Sequence, residues 1–544
     1  MGFGQGKMLS WKHLLLGMIL LSNLLYVWMI ILRSPDTLKT HFNAVMADRE
    51  SSVTAYGEGI KAPTSESTTM LLDGAGVTSN SSSVRHLKCI GWRATNGCSP
   101  NGSRRPEKDQ DCKSTIPYGS SGYCEVIDEN SHETFRVMKR TCSRGKGGAI
   151  FTCADAPEFF NFRFKAQNAV DAYLVGVSDS SDTKQNPHQG IAMVVYPKLI
   201  ASAYATIRTL RDVLNCQLPI EIWFRPDEMS QSSIGLDALK SLIRNETARD
   251  LTFHEIDHPE AFRFNAKIYG IRHSSFDQVL FLDADNVPVR DPSYLIKTTE
   301  FTKTGARFWP DYWHPDHTIF FINAKSLVWE LLGTPFVDMF EQESGQILID
   351  RRRHAAPLTL AVFYAFHRPS FFDRLKLAWG DKDLFRFAWL KLGAEFHMIQ
   401  RPPSVAGKMF GNSFCGMTMV QHDSNGEVLF LHRNQLKLTG QPSTDDPKEL
   451  HEMSTRADEL LDPEMWTHLM SFRNTSARAQ YVIQANSDRR FSKHRRCFGR
   501  RFPDRSQHFY TREFSSLPYA GHETHLRQFA MEAVLRGDKK RGTA

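Results

Sequence analysis

At 544 residues, with 41% hydrophobic and 23% charged residues, the chain has the composition of an ordinary globular protein and ample length for a large core. Its net charge of +7 is modest, and the local excess gathers between Arg489 and Arg505, a run that includes Lys493, Arg495, Arg496, Arg500 and Arg501. No nucleic-acid recognition module accompanies that run. It reads as a solvated face or a contact for anionic partners, and nucleic acid is excluded as a partner.

After a short tail (1–12), His13 to Leu32 reads HLLLGMILLSNLLYVWMIIL, a nearly unbroken apolar stretch long enough to cross a bilayer core. It ends in Met29-Ile30-Ile31-Leu32-Arg33 rather than in small residues, which favours an uncleaved anchor over a cleaved signal peptide. Lys7 and Lys12 precede it while Arg33 and Lys39 follow, so flanking charge alone barely orients it. Residues 33–85 are rich in Ser, Thr and Gly, with little apolar periodicity, and read as a flexible stem. Between 86 and 157 fall Cys89, Cys98, Cys112, Cys124, Cys142 and Cys153, without a C-x-x-C pair to suggest zinc. They predict a disulfide-stapled module in an oxidising compartment, its pairing open, with Cys216, Cys415 and Cys497 free or supplying one further pair. Asn80, Asn101, Asn245 and Asn474 begin glycosylation sequons, which with the anchor predict a type II protein whose bulk is lumenal.

From about Gly190 the texture changes. IAMVVYP reads as a buried strand, Leu199 to Leu214 as a helix, Leu218 to Phe224 as a second strand and Ala261 to His273 as helix-like. QVLFLDADN is a third strand ending in acids. This alternation predicts a Rossmann-like α/β fold, its mostly parallel sheet covered on both faces and binding ligands at the carboxyl ends of the strands. After about Leu438 the apolar pattern thins into a basic C-terminal extension (441–544), with helical patches near His451 to Leu461 and Glu523 to Leu535.

Asp283 and Asp285 are the centre of the chemistry. Asp-x-Asp recurs at Asp109/Asp111 and Asp381/Asp383, but only here do the acids leave an apolar strand, Val279 to Leu282. Two hard carboxylates at such a point suit magnesium or manganese shared with a diphosphate, whose leaving charge the metal would offset. The alternative is a pair of turn-capping aspartates, completed by Asn286 and Pro288.

VLFLDADNVPVRDPSYL, FWPDYW (308–313), ESGQILID (343–350), GDKDLFRFAWLKLG (380–393) and FLHRNQLK (430–437) together resemble the fungal-type Golgi alpha-mannosyltransferase family, notably the alpha-1,2-mannosyltransferases that extend mannan branches. The resemblance runs from about Ile191 to Lys437. The stem, the C-terminal extension and the cysteine module lie outside it, and the module departs from what those enzymes lead one to expect. It implies a GT-A domain over 158–440, GDP-mannose as donor, a divalent metal (manganese), retention of configuration, a mannose-containing glycan acceptor and residence in the Golgi membrane. By similarity, Asp283 and Asp285 bind metal and donor diphosphate. His432 matches a third metal ligand, against the alternative of a buried, hydrogen-bonded histidine, and Tyr196 stands where the nucleotide base is held.

Retaining transfer needs a polar group near the anomeric carbon. The candidates are Asp311 in FWPDYW, whose aromatics would otherwise form a packed loop; Glu343 in a polar turn before the strand ILI; and Asp381 and Asp383, which would otherwise punctuate the helix Leu384 to Leu392. Lys267 stands where it would engage phosphate or orient the acids, whereas Arg208 and Arg211 read as solvated surface. Two rivals follow: a retaining GT-A enzyme using a UDP-sugar, and a catalytically silent lumenal glycan-binding scaffold.

Overall fold

The computed structural model describes residues 83–143, 146–177, 187–230, 233–244, 250–441, 461–473, 477–487 and 496–541. The span His13 to Leu32, most of the stem, the helical patch at 451 and the sequons at Asn80, Asn245 and Asn474 lie outside them. Among the described residues no helix is long and apolar enough to cross a membrane.

The cysteine module is a three-stranded antiparallel sheet of β1 (Leu87–Ala94), β2 (Gly122–Asp128) and β3 (Thr134–Arg140). The expected three bridges form as Cys89–Cys112, Cys98–Cys142 and Cys124–Cys153. Such cross-links stabilise chiefly by restricting the unfolded chain. Helix α1 (Ala156–Val177) follows directly, and Trp92, Cys124, Phe151 and Phe159 join the apolar cluster that contains Phe308 and Trp389 of the next layer.

That layer holds β4 (Gln189–Val194), β5 (Ile220–Phe224), β6 (Leu251–Glu255), β7 (Gln278–Leu282), β9 (Ala306–Pro310), β10 (Gln342–Asp350) and β11 (His397–Met398), in the order β11-β9-β10-β7-β4-β5-β6, with β8 (Asn286–Pro288) standing outside it. All pairings are parallel except those of β10, which runs antiparallel to both β7 and β9. Alternation along β7 shows why the sheet is covered on both faces. Val279 and Phe281 enter one apolar cluster, Leu280 and Leu282 the other, each burial contributing about 1.5–3 kcal/mol. Helices α2 (Ile200–Arg208), α3 (Asn265–His273), α4 (Ala355–Phe366) and α5 (Lys382–Leu392) supply the layers.

Three expectations change here. LTFHE forms the unforeseen strand β6, so QVLFL is the fourth strand of the region. Glu343-Ser344-Gly345 is not a turn before a strand but lies within β10, at a break in its register with β9 between Glu343 and Leu348. The C-terminal segment is not a separate extension. Strands β12 (Ser404–Phe410), β13 (Ser413–His422), β15 (His468–Phe472), β16 (Gln484–Ser487), β17 (Arg496–Gly499) and β18 (Phe509–Glu513) make one antiparallel sheet in the order β16-β17-β13-β12-β15-β18, so both sides of residue 440 share it. Its last strands are short and only partly buried, β17 burying two of four residues and β18 one of five, which thins the apolar pattern. Cys415–Cys497 ties β13 to β17 as the further pair, and Cys216 remains a buried thiol. Helix α6 (His522–Arg541) packs on α2, where Arg208 pairs with Asp212 and Glu532 and lies 4.4 Å over Phe529. Arg211 is buried and donates to the carbonyls of Cys216, Leu218 and Asp250. Neither arginine is a free surface group.

Candidate active site

Strand β7 delivers Asp283 and Asp285 at its carboxyl end, and the chain then turns into β8. Strand β14 (Val428–His432) pairs with β8 in the register His432 to Asn286, which sets His432 beside the acids. From the third side comes β10, whose Gly345 carbonyl accepts the Asp283 amide at 2.9 Å and the Asn286 side chain at 2.7 Å. Three elements far apart in sequence therefore converge on one corner.

Asp283, Glu343 and His432 each offer a ligand atom within 4.8 Å of the others. His432 Nε2 lies 3.7 Å from Asp283 and 3.5 Å from Asp285, while its Nδ1 is 3.6 Å from Glu343. That Nδ1 is buried without a hydrogen-bond partner, an unsatisfied ring nitrogen of the kind a bound ligand would engage. Two carboxylates and an imidazole suit manganese or magnesium, so the residues fit a divalent metal. Asp285 is held differently. It is buried, and Lys437 closes on its Oδ2. Asp283, with 26% of its side chain exposed, is the acid open to a ligand.

Lys267 on α3 reaches up from below. Its Nζ donates to Asp283 Oδ2 at 3.2 Å and to Ser344 O and Oγ at 2.9 and 3.0 Å, with Asp381 at 3.6 Å. Burial alone would lower its pKa, but the carboxylates of Asp283, Asp381 and Glu343 outweigh that and hold it raised and charged. Asp381 is lifted to about 6, first by burial and then, against the pull of Lys267, by the charge on Asp283. Lys437 is shifted downward by burial. Tyr196, half-buried just past β4, has its hydroxyl pushed up by burial and then by the negative field of Asp283.

The remaining candidates lie deeper. Asp311 is buried and paired with Lys382. Burial drives Asp311 upward against that pairing, while Asp311, Glu343 and Glu341 keep Lys382 charged. Glu341 beside them is pushed to about 8 by burial and the neighbouring Asp383. Asp383 is fully enclosed and accepts from the Gln342 amide at 3.0 Å and from Arg386 at 2.6 Å, so it fastens β10 to α5. The aromatics of FWPDYW pack inward: Trp309, Tyr312 and Trp313 are all buried, and Trp309 donates to the His422 carbonyl at 2.8 Å. Sequence reasoning passed over Lys437, Lys382, Ser344 and Glu341. The first three stand inside the motifs already singled out, whereas Glu341 carries no signal of its own.

Residues 188–423 match the family model described as "Mannosyltransferase putative". The catalytic region is mannosyltransferase-like. It is 26% identical over 273 residues to the alpha-1,2-mannosyltransferase MNN21 of Candida albicans, covering 42% of this chain and 41% of that one. Against MNN2 of Saccharomyces cerevisiae, also an alpha-1,2-mannosyltransferase, it is 26% identical over 279 residues, covering 43% and 45%. The chain thus spans less than half the length of either relative. Among solved structures, the mannosyltransferase Ktr4p of S. cerevisiae in complex with GDP covers 47% of this chain and 83% of its own, at 12% identity and a TM-score of 0.27. The family match ends before His432.

Proposed function

We propose that the chain is a retaining GT-A glycosyltransferase moving mannose from GDP-mannose in alpha linkage, as alpha-1,2, onto a mannose-containing glycan. A divalent metal, manganese, assists, and the enzyme works from a type II anchor in the Golgi membrane. The observation that carries this reading is the meeting of Asp283, Glu343 and His432 at the carboxyl end of β7, the first two within the stretch that matches the mannosyltransferase family model and His432 just beyond it. When bound, the metal would offset charge on the departing diphosphate. The chain's own groups do the rest. Lys267 neutralises and orients Asp283, and Lys437, partly exposed beside Asp285, can turn toward a phosphate oxygen. Asp381 and Asp311, with Glu343, form the polar wall against which positive charge on the sugar would develop.

The test is turnover by the full-length chain with manganese, a mannoside acceptor and a panel of nucleotide-sugars. GDP-mannose should give an alpha-linked product. Product from UDP-sugars alone would transfer the reading to the UDP-dependent class. Absence of turnover and of thermal stabilisation by either GDP or UDP would leave the scaffold.

A further inference from the structure

Between the cysteine module and the catalytic layer lies a cavity of about 100 Å³ that shares no lining residue with the metal candidates. Its module wall carries Tyr118, Lys139, Arg140 and Lys146; its catalytic wall carries Phe320, Lys325 and Lys376. No Asp or Glu lines it among the described residues. Among the described residues Lys139, Lys146, Lys325 and Lys376 make no ion pair, although the rest of the surface is laced with pairs, and one acid, Glu330, faces Lys139 from outside the cavity lining. Cations gathered around one cavity repel one another, and an anion would relieve them.

Aromatic rings continue the cavity toward the candidate active site. Lys146 sits 5.0 Å over the Phe320 ring, Phe320 is 5.5 Å from Trp379, and Trp379 is 6.2 Å from Phe264. Trp379 and Phe264 are 54% and 49% exposed, and Tyr118 is 48% exposed. Trp379 stands two residues before Asp381. Trp379 and Phe264 form an exposed pair of rings backed by the buried Phe320, a surface that a ligand with an apolar face would cover, and a pyranose ring offers such a face.

The walls are also built with care. Cys98–Cys142 and Cys124–Cys153 fasten the chain two residues beyond Arg140 and two beyond Phe151, fixing the module side. On the catalytic side Phe321 and Lys376 adopt left-handed φ values of 59° and 53°, unfavourable for side chains of this size and held by their surroundings.

We infer that this cavity and its aromatic rim bind an anionic oligosaccharide, the charged substituent seated among Lys139, Lys146, Lys325 and Lys376 and the sugar rings laid along Trp379 and Phe264 toward the catalytic acids. The cysteine module is thereby half of an acceptor groove. Calling the ligand an acceptor rests on the transferase reading; the anionic-glycan site does not. The charge is a phosphate or a uronate carboxylate.

Binding is measured on the full-length chain without donor, using an oligomannoside bearing a mannose-6-phosphate, the same glycan after phosphatase treatment, and a uronate-bearing oligosaccharide. At least one anionic probe should bind about tenfold or more tighter than the neutral glycan, on the scale of a few partly screened charge contacts. Lys146→Glu combined with Lys325→Glu should erase that preference while leaving acceptor-free hydrolysis of GDP-mannose unchanged. Equal binding of charged and neutral glycans, or a preference that survives the charge reversal, overturns the inference. Anionic binding by an unmodified chain that turns over no nucleotide-sugar with manganese and a mannoside acceptor would instead remove the transferase reading and leave the glycan site standing.

Discussion

A side chain on Gly345 would place its Cβ 2.5 Å from His432 Nδ1, closer than real Cβ atoms come to anything. The bare backbone of β10 at this point is what lets the imidazole reach the acids of β7. Gly345→Ala should therefore push His432 away without unfolding the sheet, because φ at this glycine is not in the left-handed region. We expect manganese affinity and turnover to fall about 10–100-fold, the range for displacing a ligand's support, with an unchanged thermal midpoint. Normal metal affinity in this variant would show that His432 is not a ligand.

What could be read from residues alone was whatever a single segment declares. An apolar run ending in acids announces a strand tip, and the cysteine spacing announces a stapled module. What could not be read depends on distant neighbours. Glu341 has its pKa held upward because it is buried and Asp383 stands nearby, with Thr318 donating to it at 2.6 Å, and none of these facts has a local signature. FWPDYW looks like a sugar platform by composition, yet its rings are buried, Phe308 against Trp389 and Phe396 and Tyr312 and Trp313 against the C-terminal antiparallel sheet, neighbours that lie far away in sequence. β6 escaped notice because an edge strand of five residues buries just one of them.

The C-terminal helix should be indispensable to the site. Glu523 on α6 accepts from Arg433 at 2.8 Å and from the amides of Met465 and Trp466 at 2.6 and 2.8 Å, all buried, one residue beyond His432. Glu523→Ala strands the Arg433 guanidinium, at a cost of about 3–5 kcal/mol. Denaturant unfolding measures it. A cost under about 1 kcal/mol, the level of an exposed pair, would mean the segment is peripheral.

Acid should weaken the fold through His422. Burial, and then the charge of Arg401, depresses its pKa to about 3, against about 6.5 when unfolded. The unfolded chain therefore binds the proton first. The stability His422 provides is complete above pH 6.5 and is lost as pH falls toward 3, at up to about 1.4 kcal/mol per unit. His422→Gln should flatten the decline in thermal midpoint between pH 6.5 and 4.5. Parallel declines in both proteins would assign the acid sensitivity elsewhere.

Thiol chemistry gives a sharp count. With four bridges formed, the native unreduced chain should present no fast-reacting thiol, and denaturation without reductant should expose Cys216 alone. Cys415→Ser should lower stability by about 2–5 kcal/mol, as expected for a bridge closing a long loop. Three reactive thiols would mean that Cys415 and Cys497 are unpaired in the protein.

The two acids of the β7 tip should not be equivalent. Asp283 is open to a ligand and stands with Glu343 and His432, whereas Asp285 is enclosed and held by Lys437. Asp283→Asn keeps size and hydrogen bonding, including the amide's bond to the Gly345 carbonyl, so the sheet should survive. It removes a charge from the metal candidates and a partner from Lys267, and several kcal/mol of transition-state stabilisation should go, about 1000-fold or more in turnover. Metal titration should show the same loss. Asp285→Asn should also depress turnover, but mainly by releasing Lys437, so its manganese affinity should fall less than that of Asp283→Asn. Asp111→Asn is the control, since this exposed acid in the cysteine module accepts from the amides of Lys113 and Ser114 and from the Ser114 hydroxyl, which an asparagine oxygen can also do. Near-normal turnover in Asp283→Asn, or turnover of the unmodified chain that persists in a strong chelator, would show that the tip of β7 does not hold a metal against the donor.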